Sequence, residues 1–335
     1  MFTRPDDLPD EMLIDELRKA WGVDVSSLEY KAVGFGSHHW SVRASDGHRW
    51  FLTADDLDAR QRFPHDSNVA AFERLRAALK TARSVRDGGG YFVAAPALDR
   101  DGEVIRHVGH RFALALYAYI DGRSHPWEEY QSAADRLDVL KLIVMLHASP
   151  QDAIRDAPVD DFLIPHREGL CRALDDPAEA WEGGPYSEPA RALLSKHARG
   201  VKDMLVLYDR LALEARAQPE RVVLTHGEPH PANLILTNSG WILVDWDTTK
   251  IAPPERDLWM LDSGSGEVVA AYQKATGTQV LPAMMDFYRL WWDLAEIAIY
   301  IAQFRAPHVD TRDTRESWKN LKFFLNPPHR WPSLS

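Results

Sequence analysis

Residues 225–247 read THGEPHPANLILTNSGWILVDWD. A carboxylate, Glu228, is followed five positions on by an amide, Asn233, and twelve positions later by Asp245. Asp245 closes an apolar run, WILV, that reads as a strand end. Asp247 lies two residues further, so in extended chain it shares a face with Asp245. Phosphoryl transfer from a nucleotide asks little covalent chemistry of a protein. It needs held phosphates, metal ions that neutralise developing charge, and a carboxylate that orients the attacking hydroxyl. Asn233 and Asp245 are hard oxygen ligands of the kind Mg²⁺ takes, and Glu228 is an acceptor able to orient a hydroxyl. Each piece alone is an ordinary polar loop residue; the ordered set is not. His226 and His230 have no third strong ligand nearby, which argues against zinc and for ring nitrogens bonded to the loop backbone.

Working outward, VGFGSHHW (33–40) places Gly34, Gly36 and Ser37 before a hairpin, as a loop covering phosphates would be placed. The hairpin turns at Asp46–Gly47. A helix is expected over 68–85, ended by Gly88–Gly90. YFVAAPALD (91–99) and GHRFALALYAYIDG (109–122) read as two further strands. From residue 123 the character changes to helical spacing, first over 130–149, then over 189–217, and again over 280–304. An amphipathic helix over 10–21 precedes all of this. The expected organisation is a sheet-rich lobe over 1–115, a hinge over 116–122 and a helical lobe over 123–335.

Composition narrows the class. The 335 residues carry 39 basic and 50 acidic side chains, a formal charge of −11, which argues against a broad nucleic-acid surface and suits a cationic small partner. A single cysteine, Cys171, excludes an internal disulfide and fits a reducing compartment. The most apolar late run, 290–304, includes Asp293 and Glu296 and is too short for a bilayer. A cytoplasmic protein without membrane or nucleic-acid partners, monomeric or weakly dimeric, is expected.

The order of glycine loop, long helix, hinge, HGEPHPAN, VDWD and APPERDLWML resembles the aminoglycoside phosphotransferase (antibiotic kinase) family, closest to its spectinomycin phosphotransferase branch. The likeness spans about residues 28–304, and its motifs are most specific over 225–261. It implies an α+β, bilobal protein-kinase-like fold, with a small antiparallel N-terminal sheet, one long helix and a larger helical lobe. It also implies ATP or GTP as co-substrate, Mg²⁺, and transfer to a hydroxyl of a small molecule, an antibiotic whose modification confers resistance. By the resemblance Glu228 takes the place of a catalytic Asp, and Asn233 and Asp245 match the metal ligands. Tyr117 and Tyr119 fall in the hinge that meets the purine, and Glu73 falls on the helix that usually carries the lysine-pairing acid. On the acceptor side stand Asp247 and, in the 280–304 helix, Trp292, Asp293 and Glu296, aromatic and acidic side chains suited to a polyhydroxylated cation.

Two positions depart from the family pattern. The strand lysine expected to reach the phosphates is replaced by Thr53, leaving Arg43, Arg49, His38 and His39 as candidate sources of positive charge. The catalytic Asp is replaced by Glu228, whose extra methylene moves the carboxylate by roughly 1.5 Å. Asn233, Asp245 and Asp247 are all retained, which favours a working variant over a catalytically silent nucleotide- or ligand-binding relative. A metabolite kinase for an amino alcohol, sugar or nucleoside is the other alternative. A protein kinase is disfavoured, because DWD runs into TTKIAPPERD with no DFG…APE segment. Arg256 and Asp257 in that run read as braces for the catalytic loop.

Overall fold

A computed structural model describes residues 1–127 and 130–325. Its contacts divide the chain into two compact units. Of the described residues, the first holds 1–60, 67–127, 130–160 and 221–280, and the second holds 61–66, 161–220 and 281–325.

The first unit opens with α1 (Asp10–Glu16), continued by one wider turn over Leu17–Trp21. Five antiparallel strands follow, β1 (Val25–Lys31), β2 (Ser37–Ala44), β3 (Arg49–Asp56), β4 (Arg106–Val108) and β5 (Phe112–Ala118), in the spatial order β1-β2-β3-β5-β4. The β2–β3 turn is the one expected: Gly47 takes φ +90°, and the Asp46 carboxylate accepts from the His48 amide at 2.9 Å. Alternation then sorts the side chains. Trp40, Val42, Leu52, Ala54, Leu114 and Leu116 face one way and pack with Leu13 and Leu17 into a closed core. Each such Leu contributes about 1.5–3 kcal/mol by burial. The opposite face is polar, since the register pairs Ser37 with Asp55, His39 with Thr53, Thr53 with Ala115 and Phe51 with Tyr117. That second face is the one that matters for chemistry.

Helix α2 (Asn68–Asp87) begins at Ser67, whose hydroxyl accepts from the Ala70 amide at 3.1 Å, and stops at Gly88. The strand expected over 91–99 does not form. Pro96 has no amide to give a ladder, and the segment makes a single bridge, Val93 to Leu243. After β6 (Arg123–Ser124) come α3 (Ala133–His147), capped by Ser132, and α4 (Gln151–Ile154).

The second unit is helical. Helices α5 (Arg167–Asp175) and α6 (Ser187–Arg216) belong to it. The chain then returns to the first unit as β7 (Val223–Thr225), β8 (Leu234–Thr237), β9 (Gly240–Leu243), β10 (Lys250–Ala252), α7 (Glu255–Leu261) and α8 (Glu267–Thr276). Strand β8 pairs with β6 and β9, and β7 pairs with β10. Helices α9 (Pro282–Arg305) and α10 (Arg312–Phe324) complete the second unit. Helix α9 is its axis: it lies against α5, α6 and α10, and the Phe287 ring stacks on Tyr208 at 5.0 Å. Among the described residues no helix is long and apolar enough to cross a membrane.

Candidate active site

The turn after β7 is fastened from behind before any of its side chains is placed. Asp257, fully buried in the first turn of α7, accepts from the amides of His226 (2.9 Å) and Gly227 (2.6 Å) and lies 3.1 Å from His147 Nε2. Burial pushes its carboxyl up, but the hydrogen bond with His147 and the charges around it win and hold it below the usual carboxylate range. Arg256 donates to Thr225 Oγ1 at 2.9 Å and to the Thr248 carbonyl at 2.8 Å. The bracing role read for APPERDLWML is therefore carried by these two side chains.

The fit is close at Gly227. Its φ is +101°, and a Cβ there would lie 2.4 Å from the Arg256 guanidinium. Gly227→Ala is expected to lower stability by about 2–3 kcal/mol through backbone strain and displacement of Arg256. Denaturant unfolding checks this, and a variant within about half a kcal/mol of the parent would contradict the fit.

The two histidines differ. His226 Nε2 bonds the Val244 carbonyl at 2.9 Å, while Nδ1 accepts from the Glu228 amide at 3.2 Å. One ring nitrogen donates and the other accepts, which is the neutral tautomer; burial lowers its pKa accordingly. The ring meets the buried Trp246 indole edge-on at 4.8 Å. His230 packs on Trp127 at 3.8 Å, and burial pushes its pKa down to about 3. Its Nδ1 makes no hydrogen bond among the described residues, and its Nε2 lies 3.8 Å from Glu228 Oε2. The backbone-bonding role expected for both rings holds only for His226.

The β8–β9 hairpin delivers the metal-ligand candidates. Its register sets Leu234 opposite Leu243, and the Val244 amide donates to the Asn233 carbonyl at 2.9 Å. Asn233 and Asp245 thus flank the same end of the hairpin. The Asn233 amide nitrogen is committed to the Glu228 carbonyl at 3.0 Å, so its side-chain oxygen is turned away for another partner. Asp245 takes φ +66°, a left-handed conformation that an Asp tolerates better than most residues.

Negative charge accumulates here. Burial and the neighbouring Asp247 push the Glu228 carboxyl up. Protein walls together with Asp247 and Glu228 push Asp245 up as well, although its side chain reaches solvent. Burial works against Asp247 too, but the Arg60 guanidinium outweighs it and holds that carboxyl down. Among the described residues no cluster of three His, Cys, Asp or Glu side chains forms a self-sufficient metal site. What Asn233 and Asp245 offer is a partial oxygen set in surplus negative charge. That fits Mg²⁺, which protein groups commonly bind through one or two ligands, with phosphates and waters completing the octahedron.

Among the described residues, the cation bonded to this cluster comes from outside the motifs. Arg60, in the turn after β3, donates to Asp55 at 2.9 Å through Nε and to Asp247 at 2.6 Å through a terminal nitrogen. Ser37 Oγ donates to the same Asp55 at 2.6 Å. The glycine-loop serine, β3 and the Asp245–Asp247 turn are thereby joined through one guanidinium.

The other expected positions distribute unevenly. Gly34 and Gly36 take φ +69° and +96° in the exposed β1–β2 loop. Thr53 lies on the polar face of the sheet, its hydroxyl 3.4 Å from the Ala115 carbonyl. Tyr117 is a strand residue near the end of β5, and it lies within the field of Asp55, Asp245 and Asp247. Burial and those charges raise its phenol well above the ordinary value. Tyr119 follows the strand and lies beneath Arg49, 3.7 Å from the guanidinium. Of the other cations considered, Arg49 pairs with Asp121, His38 is buried against Tyr30 and Phe112, and His39 bonds the Val33 carbonyl. Glu73 pairs with Arg76 on its own helix. Trp292 and Asp293 are buried within the second unit, and Glu296, part exposed there, bonds the Tyr300 hydroxyl.

Comparison with known proteins identifies the family and the fold. The family model described as the phosphotransferase enzyme family matches residues 41–300. Protein StrN of Streptomyces griseus is 29% identical over 314 residues, covering 91% of this chain and 88% of that one. Spectinomycin phosphotransferase APH(9)-Ia, solved with ADP and spectinomycin, superposes with a TM-score of 0.70 at 16% identity, covering 95% of this chain and 94% of that one. A microcompartment-associated aminopropanol kinase superposes with a TM-score of 0.60 at 16% identity, covering 95% of each. The fold is thus the one those kinases share, and the chain belongs to the phosphotransferase enzyme family.

Proposed function

We propose that this protein transfers the γ-phosphoryl group of ATP or GTP to a hydroxyl of a small antibiotic of the aminoglycoside or spectinomycin type. The observation that carries the reading is the convergence of Glu228, Asn233, Asp245 and Asp247 on one braced hairpin end. Asn233 and Asp245 would hold Mg²⁺, which when bound neutralises charge on the transferring phosphoryl group. Glu228 accepts a hydrogen bond from the acceptor hydroxyl and takes its proton as the new O–P bond forms and the bond from the γ-phosphorus to the departing nucleoside diphosphate breaks. Its raised pKa suits that proton-accepting task near neutral pH. The polar sheet face with Thr53 and Tyr117, under the Gly34–Ser37 loop, is the proposed nucleotide face. Asp247 borders the acceptor. Trp292 and Asp293 are buried and Glu296 is part exposed within the second unit.

The likeness to a spectinomycin phosphotransferase supports the antibiotic class, while the likeness to an aminopropanol kinase keeps amino alcohols in view. The test is a mass-spectrometric assay with Mg²⁺ and either nucleotide over spectinomycin, other aminoglycosides and amino alcohols. A gain of one HPO₃ on an antibiotic is the expected result. A gain only on an amino alcohol would move the protein to metabolism. No gain on any acceptor, together with no nucleotide binding, would remove the kinase reading.

A further inference from the structure

We propose that Arg60 is the phosphate-binding cation of this enzyme, supplying from the turn after β3 the charge that a lysine at position 53 would have supplied from the strand. The inference rests on the phosphotransfer reading above and assigns one of its missing parts.

Position 53 lies on the polar sheet face between His39 and Ala115, and threonine there offers a short neutral side chain. Asp55 is two residues along the same strand and on the same face, about 7 Å away. The Arg60 guanidinium is bonded to that carboxylate and to Asp247, on the turn that carries Asp245. It therefore stands between the nucleotide face of the sheet and the metal-ligand candidates, where the phosphates of a bound nucleotide have to lie.

The side chain is held for such a role. Its amide bonds the Asp56 carbonyl at 3.2 Å, and its own carbonyl accepts from Arg74 at 3.1 Å. The guanidinium remains partly accessible to solvent. Five lysines of the same unit are engaged elsewhere: Lys19 with Asp15, Lys31 with Glu29, Lys80 with Glu103, Lys141 with Asp138 and Lys250 with Asp160.

The chemistry favours exchange of partners. A guanidinium presents a planar fork of donors that matches phosphate oxygens two at a time. Its bond to Asp55 is reinforced by Ser37 and survives nucleotide binding, whereas its single bond to Asp247 is the one a phosphate replaces. Asp247 is then released toward the metal and the acceptor. Arg60 thus occupies its acidic partners when no nucleotide is present and repays them with phosphate when one arrives.

The test is calorimetric titration of ADP and of adenosine, each with Mg²⁺ and without acceptor, into the parent protein and Arg60→Met. Arg60→Met is expected to bind ADP about 30–100-fold more weakly and adenosine within about twofold of the parent. Arg60→Lys, which keeps charge without the fork, should fall between. Equal ADP affinity in parent and Arg60→Met overturns the proposal and leaves the kinase reading intact. Equal losses for ADP and adenosine also overturn it, because they mark a purely structural ion pair. Failure of the parent to bind either compound removes the kinase reading and this proposal with it. Should Arg60→Met fail to fold, Arg60→Gln is judged by the same ratio of ADP to adenosine.

Discussion

Glu228→Gln is expected to lower turnover by about 10²–10⁴-fold while leaving nucleotide affinity within about twofold. The substitution keeps shape and removes only the ability to take a proton, so the loss should fall on kcat. The loop will hold, because its fastening runs through backbone amides to Asp257 and not through the Glu228 side chain. Glu228→Asp is the more informative partner. If the loop has been built around the longer side chain, the shorter carboxylate retreats by about 1.5 Å and turnover falls about a hundredfold. Steady-state kinetics with the acceptor found above decides. A faster Asp variant would mean that Glu228 is a handicap carried by this chain and not a fitted part. Unchanged turnover in Glu228→Gln would remove Glu228 from the chemistry.

Asp257→Ala is expected to destabilise the protein by about 3–5 kcal/mol. The buried amides of His226 and Gly227 lose their acceptor, and each unsatisfied donor costs about 1–3 kcal/mol. The hydrogen bond to His147 goes as well. The same carboxylate sets part of the acid limit. Its pKa is lower in the folded state than in the unfolded one, so its contribution is complete above the unfolded value of about 3.9 and is lost as pH falls through the folded value. Denaturant melts near neutrality and in acid below about pH 4 check both parts. The parent should lose stability on acidification more steeply than Asp257→Ala. Parallel acid profiles would mean that the carboxylate's charge is not what holds the turn.

How far the sequence could be read depended on how local each cause was. The run from Glu228 to Asp247 declares itself because its ligands sit on one hairpin, and a hairpin's register is written in adjacent residues. Arg256 and Asp257 were legible as braces for the same reason of nearness. Arg60 was not, because its partner Asp247 is 187 residues away. The threonine at 53 advertised a vacancy, but local spacing does not say that the turn after β3 carries Arg60 back onto Asp55 and Asp247. The strand expected over 91–99 had the right composition and lacked a ladder to join, a tertiary fact. Trp292 and Asp293 in α9 are buried because that helix is packed against three others, and helical spacing alone does not tell a surface face from a second buried one. Of these three positions, Glu296 keeps partial access to solvent.

Asp245 is held at φ +66°, where glycine or asparagine would sit with less strain. Neither of those residues brings a negative charge to the hairpin end. Holding a carboxylate at the hairpin end therefore costs backbone strain that either neutral residue would relieve.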